Sequence, residues 1–200
     1  MQPTNGDCCM KIFNYLLVTL FIIFQTPKCF AQDSVNLYVG PDPKSHCHQF
    51  GAEVGITKNS TLGVIPAYNC SDVNTYGPIN NQVNSTFNRI LIPFRYSPNG
   101  IFKNGYFIMA LLGMEKNEFK SVAGSSANVS FIDTGILFGY QWFWRNGFNI
   151  SGSIGVVHLM RNSLDQTISS TESNDVSEYL DQQTSTNTHV GGGMFLGWVF

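Results

Sequence analysis

The chain has 200 residues, enough for one domain with a sizeable core, and nothing in its composition demands a second domain. Eleven basic and thirteen acidic residues give a net charge of −2, and no basic run suggests nucleic acid as a partner. Nineteen glycines and sixteen phenylalanines accompany only 12% charged residues, and so many aromatic residues argue against intrinsic disorder.

The first segment, residues 1–31, is predicted to be a cleavable signal peptide. Its apolar run, IFNYLLVTLFIIF, has the length of a signal-peptide core and is too short for a transmembrane helix. Cys29 and Ala31 are small residues that suit the −3 and −1 positions of a cleavage site, so the mature chain is expected to begin at Gln32. Met10 is an alternative start of translation, and a retained N-terminal anchor is the other interpretation of this segment.

From Gln32 onward, eight segments with alternating apolar residues are predicted to be β-strands, and no segment has the 3.6-residue period of an amphipathic helix. Pro66 and Pro93 lie inside two of these segments, where β-bulges are expected. The predicted strands are 34–40, 48–57, 61–69, 86–97, 104–115, 128–144, 147–160 and 188–200.

The connections between the predicted strands alternate strictly between long polar segments and short turns. The last long connection, 161–187, is the longest. This alternation is typical of a barrel with an even number of strands, which has short turns at one rim and long loops at the other. We therefore predict an all-β fold over residues 32–200, a monomeric, eight-stranded, antiparallel up-and-down transmembrane β-barrel.

The two sides of the predicted strands differ in side-chain size. One side collects large apolar residues and contains no Asp, Glu, Lys or Arg, and only Gly152 and Gly192 interrupt it. An eight-stranded barrel has an interior just wide enough for side chains, so the bulky side must face outward, where an apolar surface of that extent requires lipid. The opposite side carries ten glycines. They are Gly51, Gly55, Gly63, Gly113, Gly135, Gly139, Gly155, Gly191, Gly193 and Gly197.

Four charged residues lie on the predicted inward side, well within strands: Glu53, Arg89, Arg95 and Asp133. Because buried charges must be paired, we predict a balanced ionic network that plugs the interior. A gated ion path and a proton relay are the alternatives. Glu115 shares the inward side, but it lies at the end of a predicted strand and is expected to reach water.

Two cysteines, Cys47 and Cys70, remain after removal of the signal peptide, and an even number in an exported chain favours one disulfide. They lie nearly symmetrically about the KNS turn, so their Cα atoms can approach bonding distance. The alternative is a zinc site formed by the HCH segment, 46–48, together with Cys70, although this spacing is not a recognised zinc-finger pattern. We expect no metal and no cofactor.

Catalysis by a serine would require a histidine and an acid close by. The candidates are His158 with Ser163, and His189 with Asp165 or Glu172. The compact His-x-Ser pattern of outer-membrane lipid A deacylases is absent, and His158 falls on the outward side near one rim. We therefore predict an interfacial histidine there and no catalytic residue.

Aromatic residues gather at the rim that carries the short turns. Trp142, Trp144 and Phe148 flank the RNG turn, and Trp198 and Phe200 end the last strand at the same rim. Aromatic rings of this kind are enriched where a membrane meets water, so these five residues are predicted to form an interfacial girdle.

The C-terminal segment GGGMFLGWVF, 191–200, resembles the bacterial outer-membrane β-signal, with an aromatic last residue and apolar residues at the third, fifth and seventh places from the end. It departs from that signal at Phe195, where glycine is frequent. GYQWFWRNGFNISGSIGVV, 139–157, is similar to the late hairpin of small, uncharacterised outer-membrane β-barrel proteins. The resemblance implies a bacterial outer-membrane location and insertion by the barrel assembly machinery through the C-terminal strand.

The predicted function is a membrane anchor in the cell envelope, with membrane lipids around the barrel. Loops on a rigid scaffold often carry function, so 161–187 is expected to contact an extracellular partner, for adhesion or binding. The alternatives are a soluble, secreted, lipocalin-like barrel that binds a small apolar ligand, and an outer-membrane enzyme that modifies lipids.

Overall fold

The computed structural model describes residues 34–41, 48–75, 82–171 and 174–200, and the predicted signal peptide lies outside them. Eight strands and one helix follow one another along the chain. They are β1 Val35–Pro41, β2 His48–Gly55, β3 Ser60–Thr75, β4 Gln82–Tyr96, β5 Gly105–Ser121, β6 Ser126–Phe143, β7 Phe148–Thr167, α1 Asn174–Gln183 and β8 Asn187–Val199.

Each strand pairs antiparallel with the next, and β8 returns to pair with β1, where Asn36 is in register with Val199 and Val39 with Leu196. The sheet is therefore a closed ring of eight strands. The prediction of an all-β fold with eight antiparallel strands in sequence order is confirmed. Closure pairs the two strands that would otherwise be edges of the sheet.

The strict alternation of long and short connections is wrong, because strands continue into segments that were predicted to be loops. β5 extends to Ser121, and only residues 122–125 connect it to β6. Residues 116–121 are polar in composition but keep the two-residue period, with Phe119 buried between the exposed Lys116 and Lys120 on the other side of the strand. A polar strand segment of this kind is easily mistaken for a loop.

The helix α1 lies in the long connection 161–187, where no helix was predicted. Val176 and Leu180, four residues apart, lie on one face of α1 and are its buried residues. Most other residues of the helix are polar. The 3.6-residue apolar period that identifies a helix therefore depends on few residues in this segment. Among the described residues, no helix is both long enough and apolar enough to cross a membrane.

The predicted orientation of the strand faces is confirmed. Trp198, Phe138 and Ile92 are 43%, 58% and 43% exposed on the outer surface. Glycines on the inward side make room for large neighbours, since a Cβ atom at Gly139 would collide with the ring of Phe107. The interior is therefore filled by alternating large side chains and glycines.

The two prolines inside strands differ in their effect. β3 pairs with β2 up to Val64, just before Pro66, and its register with β4 shifts between Ala67 and Cys70. An irregularity therefore follows the first proline, as expected. Pro93 is in register with Leu111 without a shift, so the bulge expected there is absent.

Candidate functional site: the barrel interior and the outer surface

A hydrogen-bonded layer crosses the interior near the end of the barrel that carries the short connections. Arg95 Nη2 forms an ion pair with Glu53 Oε1 at 2.9 Å, and Arg95 Nη1 donates to Gln141 Oε1 at 3.3 Å. Gln141 donates to Asn149 Oδ1 at 3.1 Å, and Asn149 donates to Asn36 Oδ1 at 2.9 Å. Asn36 is the register partner of Glu53, so side chains from β1, β2, β4, β6 and β7 meet at one level of the interior. We call these five side chains the interior polar layer.

The remaining three strands complete this level. Thr61 of β3 is buried as the register partner of Arg95, and the Arg95 guanidinium lies 4.2 Å above the ring centroid of Phe107 on β5. On β8, a Cβ atom at Gly197 would lie 2.7 Å from Asn36 Oδ1, so only glycine leaves room for the layer. The side chains of the interior polar layer are at most 5% exposed. All eight strands therefore contribute to one filled level of the interior.

A second buried ion pair lies further toward the other end. Arg89 Nη1 is 3.6 Å from Glu115 Oε2, on neighbouring strands in register. The expectation that Glu115 reaches water is wrong: the residue is 4% exposed, because β5 continues past it. Asp133 on β6 is buried as well. The four predicted charges are all inside, and Glu115 adds a third carboxylate, so the two signs are not present in equal number.

Between the two charged levels the interior is mostly apolar. Tyr38 packs with Ile65 and Leu91, and its ring meets that of Phe195 edge-on, with the ring centroids 5.2 Å apart. A cavity of about 160 Å³ lies beside this cluster, and Arg89 is part of its lining. The interior therefore has room for a few water-sized molecules between the two charged levels.

The helix α1 covers the interior at the opposite end of the barrel. Its residues Val176 and Leu180 are completely buried, and the ring of Tyr179 lies 6.3 Å from that of Phe119. The strand residues that pack with the helix all lie on the inward side of β4 to β7. They are Val83, Phe119, Ala127, Val129, Phe131 and Leu159. This end of the interior is thus closed by an apolar cap.

We expect the Leu180→Ala variant to loosen this cap without opening the barrel. Loss of a buried leucine side chain typically costs about 2–5 kcal/mol, and here that cost falls on the docking of α1. Cleavage by a protease of broad specificity between β7 and β8 should become at least about tenfold faster. Glu178→Ala, an exposed position on the same helix, is the matched control. Equal cleavage rates for the two variants would contradict the packing described for α1.

The end with the short connections is also covered. The connection between β4 and β5 folds back on the connection between β2 and β3, with Ser97 N donating to Asn59 O at 2.8 Å and Ile101 N to Lys58 O at 3.0 Å. Ile101 and Phe102 are buried in this arrangement. The sequence did not single out these two residues, because a short apolar pair in a turn has no periodic signal.

The outer surface changes from apolar to polar at one line across four strands. The last apolar residues are register partners of one another, and we call them the boundary row. They are Ile90, Met114, Ile132 and Met160. The next outward residues along the same strands are Asn88, Lys116, Ser130 and Ser163. Between the boundary row and the short connections, the outward side of the described strands contains no Asp, Glu, Lys or Arg, and we call this area the outer belt.

The five predicted girdle residues all lie at the short-connection end of the outer belt. The ring centroids of Trp144 and Phe148 are 5.3 Å apart, and those of Phe148 and Trp198 are 6.2 Å apart. Trp142 is half exposed one strand away, and Phe200 is exposed while its backbone NH donates to Val35 O at 2.9 Å. The last residue of the chain is therefore held by the ring of strands rather than frayed.

The structure does not bring Ser163 to His158. The Nδ1 atom of His158 lies 2.7 Å from Thr188 Oγ1, whereas Ser163 follows five residues later on the same strand, about 16 Å away along it. The His158 ring is therefore oriented by a threonine hydroxyl, and no acid completes a triad with Ser163 among the described residues.

The second candidate histidine has a different neighbour from the one proposed. His189 Nδ1 lies 3.1 Å from Asn187 Oδ1. Its register partner is Val157, eight residues before Asp165 on β7, so about 26 Å of strand separate the histidine from that carboxylate. Glu172 lies outside the described residues.

The predicted disulfide involves one residue that the structure describes. Cys70 is buried at the point where the register of β3 shifts, whereas Cys47 lies outside the described residues, so the bond between them stays a prediction. His46, a member of the alternative zinc site, also lies outside them. Within the described ranges, no group of three or more His, Cys, Asp or Glu side chains is placed to hold a metal ion.

Comparison of the chain with protein-family models, with curated proteins and with solved structures found no match.

Proposed function

We propose that this chain is a bacterial outer-membrane β-barrel protein, and that its barrel anchors a surface-exposed portion in the membrane. The observation that carries the proposal is the distribution of polarity across the wall of the barrel. Ion pairs and hydrogen-bonded amides are enclosed, while large apolar side chains such as Tyr106, Ile154 and Leu112 are exposed on the outer belt. Apolar surface of this extent is unfavourable in water by about 25 cal/mol per Å² and favourable in lipid.

A water-soluble barrel that carries an apolar ligand requires the opposite distribution. Its interior would be apolar and its exterior polar, as in the lipocalin-like alternative. Here the interior contains Arg89 and Arg95 with their carboxylate partners, and the exterior is apolar over the outer belt. This contrast favours a lipid environment over a soluble, secreted carrier.

The height of the outer belt supports the same proposal. On β6, the belt extends over eleven residues, or ten steps along the strand, from Ile132 to Trp142. At about 3.4 Å per residue and a strand tilt of about 40°, it is roughly 26 Å tall, close to the apolar band of outer-membrane barrels, which is about 25 Å. A closed ring of strands also pairs the backbone groups that hydrocarbon cannot hydrogen-bond.

The filled interior favours an anchor over a pore. Residues of all eight strands fill the level of the interior polar layer, and α1 covers the other end. The gated ion path and the proton relay have no such support. We therefore expect no steady conductance from the inserted protein.

The portion beyond the boundary row is the proposed site of contact with a partner. It comprises the projecting parts of β3 to β7 together with α1, and its outward residues include Lys116, Glu118 and Lys120. Residues 161–187 thus form a strand end and a helix, rather than the long loop that was predicted, and we retain this segment as the proposed contact with an extracellular partner. Export by the signal peptide and insertion through β8 by the barrel assembly machinery are part of the same proposal.

The test of this function is electrophoretic mobility together with detergent fractionation. A closed transmembrane barrel resists dodecyl sulfate until it is boiled, because its strands are paired around the whole ring. We expect the expressed protein to fractionate with detergent-extracted membranes, and its unboiled band to migrate faster than the boiled one. Recovery in the aqueous fraction, with one band regardless of boiling, would overturn the proposal.

A further inference from the structure

We infer that the end of the barrel with the aromatic girdle binds anionic phospholipids of the adjacent leaflet through three exposed cations, Lys58, Lys103 and Arg145. We call these three residues the basic rim. The inference rests on the proposed function, because it requires the barrel to span a membrane. It adds a preference for one class of lipid headgroup at one end of the barrel.

Each of the three connections at this end carries one cation of the basic rim and contains no Asp or Glu. They are 56–59 with Lys58, 97–104 with Lys103, and 144–147 with Arg145. All three cationic side chains are exposed. The positive charge is therefore not neutralised within the connections that carry it.

The two ends of the barrel differ in how their cations are partnered. No carboxylate among the described residues lies within ion-pair distance of the basic rim. At the opposite end, Lys120 Nζ is 2.6 Å from Glu118 Oε1, and α1 adds the exposed acids Asp175, Glu178 and Asp181. Cations next to a membrane surface are attracted by anionic headgroups. The distribution of charge therefore favours an anionic partner at the basic rim.

Two cations of the basic rim are held near each other by the backbone. Ile101 N donates to Lys58 O at 3.0 Å, which joins the connection of Lys58 to that of Lys103. A Cβ atom at Gly100 would lie 3.4 Å from Lys58 O and 3.5 Å from Lys103 Cδ, so both residues lie next to the same glycine. Like charges that are close together repel each other, and a neighbouring anion reduces that repulsion.

The third cation lies beside the aromatic girdle. Arg145 directly follows Trp144, whose ring centroid is 5.3 Å from that of Phe148. A Cβ atom at Gly147 would lie 3.0 Å from Trp198 Nε1, so the indole NH is located at the same turn. Tryptophan rings are enriched at the level of the headgroups. In the proposed membrane, the Arg145 guanidinium is therefore at the level of the phosphates and can donate two hydrogen bonds to one of them.

The connection of Lys103 is also attached to the girdle. Phe143 N donates to the side-chain oxygen of Asn104, the residue that follows Lys103. Phe143 lies between Trp142 and Trp144 in the chain. Lys103 and Arg145 are therefore both held next to the tryptophans of the girdle.

The positions of the three cations around the barrel indicate a membrane rather than a compact ligand. Their connections join β2 to β3, β4 to β5 and β6 to β7, and thus cover more than half of the ring of strands. A compact anion contacts one or two of these connections, whereas a layer of headgroups contacts all three at once. Each Lys or Arg near an anionic membrane surface strengthens the attraction about fivefold. Anionic phospholipids supply both the phosphate and the net negative charge.

The test uses the intrinsic fluorescence of the full chain in vesicles. The three tryptophans of the chain, Trp142, Trp144 and Trp198, all belong to the girdle, so their quenching reports on lipids at this end. The vesicles contain equal parts of phosphatidylglycerol and phosphatidylcholine, and either one or the other carries bromine on its acyl chains. We expect phosphatidylglycerol to be enriched at least about threefold around the tryptophans at low salt. The enrichment should disappear at about 1 M salt, where the Debye length is about 3 Å.

The double variant Lys103→Gln with Arg145→Gln should lose the enrichment, because these two cations lie next to the girdle. Lys116→Gln with Lys120→Gln is the matched control, since it removes the same charge from exposed positions beyond the boundary row, and it should keep the enrichment. Lys103→Arg with Arg145→Lys retains the charge and should also keep it. Equal quenching by the two brominated lipids in the unmodified chain, or equal loss in the two glutamine variants, would overturn the inference.

Heat-modifiable mobility and the total quenching separate failure of this inference from failure of the proposed function. A chain that keeps the faster unboiled band and is quenched equally by both lipids overturns the basic rim but not the membrane barrel. A chain whose tryptophans are quenched by neither lipid overturns both, since the girdle would then be in water.

Discussion

Replacing Arg95 with methionine is expected to lower the free energy of unfolding by about 3–5 kcal/mol. The guanidinium lies 2.9 Å from Glu53, whose carboxylate is 1% exposed and would stay in the interior without its cation. Gln141 would also lose a hydrogen bond from the same guanidinium, so the interior polar layer would lose two contacts. Denaturant unfolding of the protein in phospholipid vesicles measures the change.

Two further variants test whether the loss of stability in Arg95→Met arises from leaving a charge buried without its partner. Lys120→Met removes the cation of an exposed ion pair with Glu118, where the distance is 2.6 Å but both side chains contact water, and it should cost under about 1 kcal/mol. The double variant Arg95→Met with Glu53→Leu removes both charges and should recover most of the loss. Similar losses for Arg95→Met and Lys120→Met would contradict a closed, dry interior polar layer.

Replacing Phe138 with arginine is expected to destabilise the protein in vesicles by about 2–4 kcal/mol. Phe138 is 58% exposed near the middle of the outer belt, so the new guanidinium would face hydrocarbon. The same change on a surface that faces water would be almost neutral. The free energy of unfolding in vesicles therefore reports directly on the environment of the outer belt.

Asn128→Arg is the matched control, on the same strand and the same side but beyond the boundary row. Its register partners are Glu118 and Asp165, so the added positive charge lies near two acids. We expect a change within about 0.5 kcal/mol. If Phe138→Arg and Asn128→Arg were equally tolerated, the outer belt would be in water and the membrane proposal would fail.

The number of strands and the side that each presents outward were predictable from local patterns. The two-residue period at Phe138, Tyr140 and Trp142 sets one side of β6 against Gly139 and Gln141 on the other. Side-chain volume then decides which side of each strand faces outward, because the bulky side does not fit inside a barrel of eight strands. Both steps use only residue size and period, which the sequence contains in full.

The ends of the strands and the cap were not predictable in the same way. Residues 116–121 are polar enough for a loop, yet they remain a strand because Phe119 packs against Tyr179 of a helix sixty residues later. Val176 and Leu180 are the fully buried residues of α1, and the cluster they join contains residues of four strands. Contacts between distant parts of the chain therefore determine both the end of β5 and the position of α1. A short stretch of sequence does not contain both partners of such a contact.

The pairing of the interior charges also required the tertiary structure. The two-residue period placed Glu53 and Arg95 on the inward side, but they are 42 positions apart in the chain. The register of β2, β3 and β4 brings their side chains to 2.9 Å. Glu115 was assigned to water because its strand was predicted to end there. The register that puts it opposite Arg89 is a property of the assembled sheet.

By itself, the sequence determined eight strands, which side of each strand is bulky, and the inward position of Glu53, Arg89, Arg95 and Asp133, because a period of two and side-chain volume act locally. Only the tertiary structure decided that Arg95 joins Glu53 to Gln141, that α1 covers one end of the interior, and that Thr188 contacts His158. Ring closure and strand register set those distances, and both arise only when all eight strands are paired.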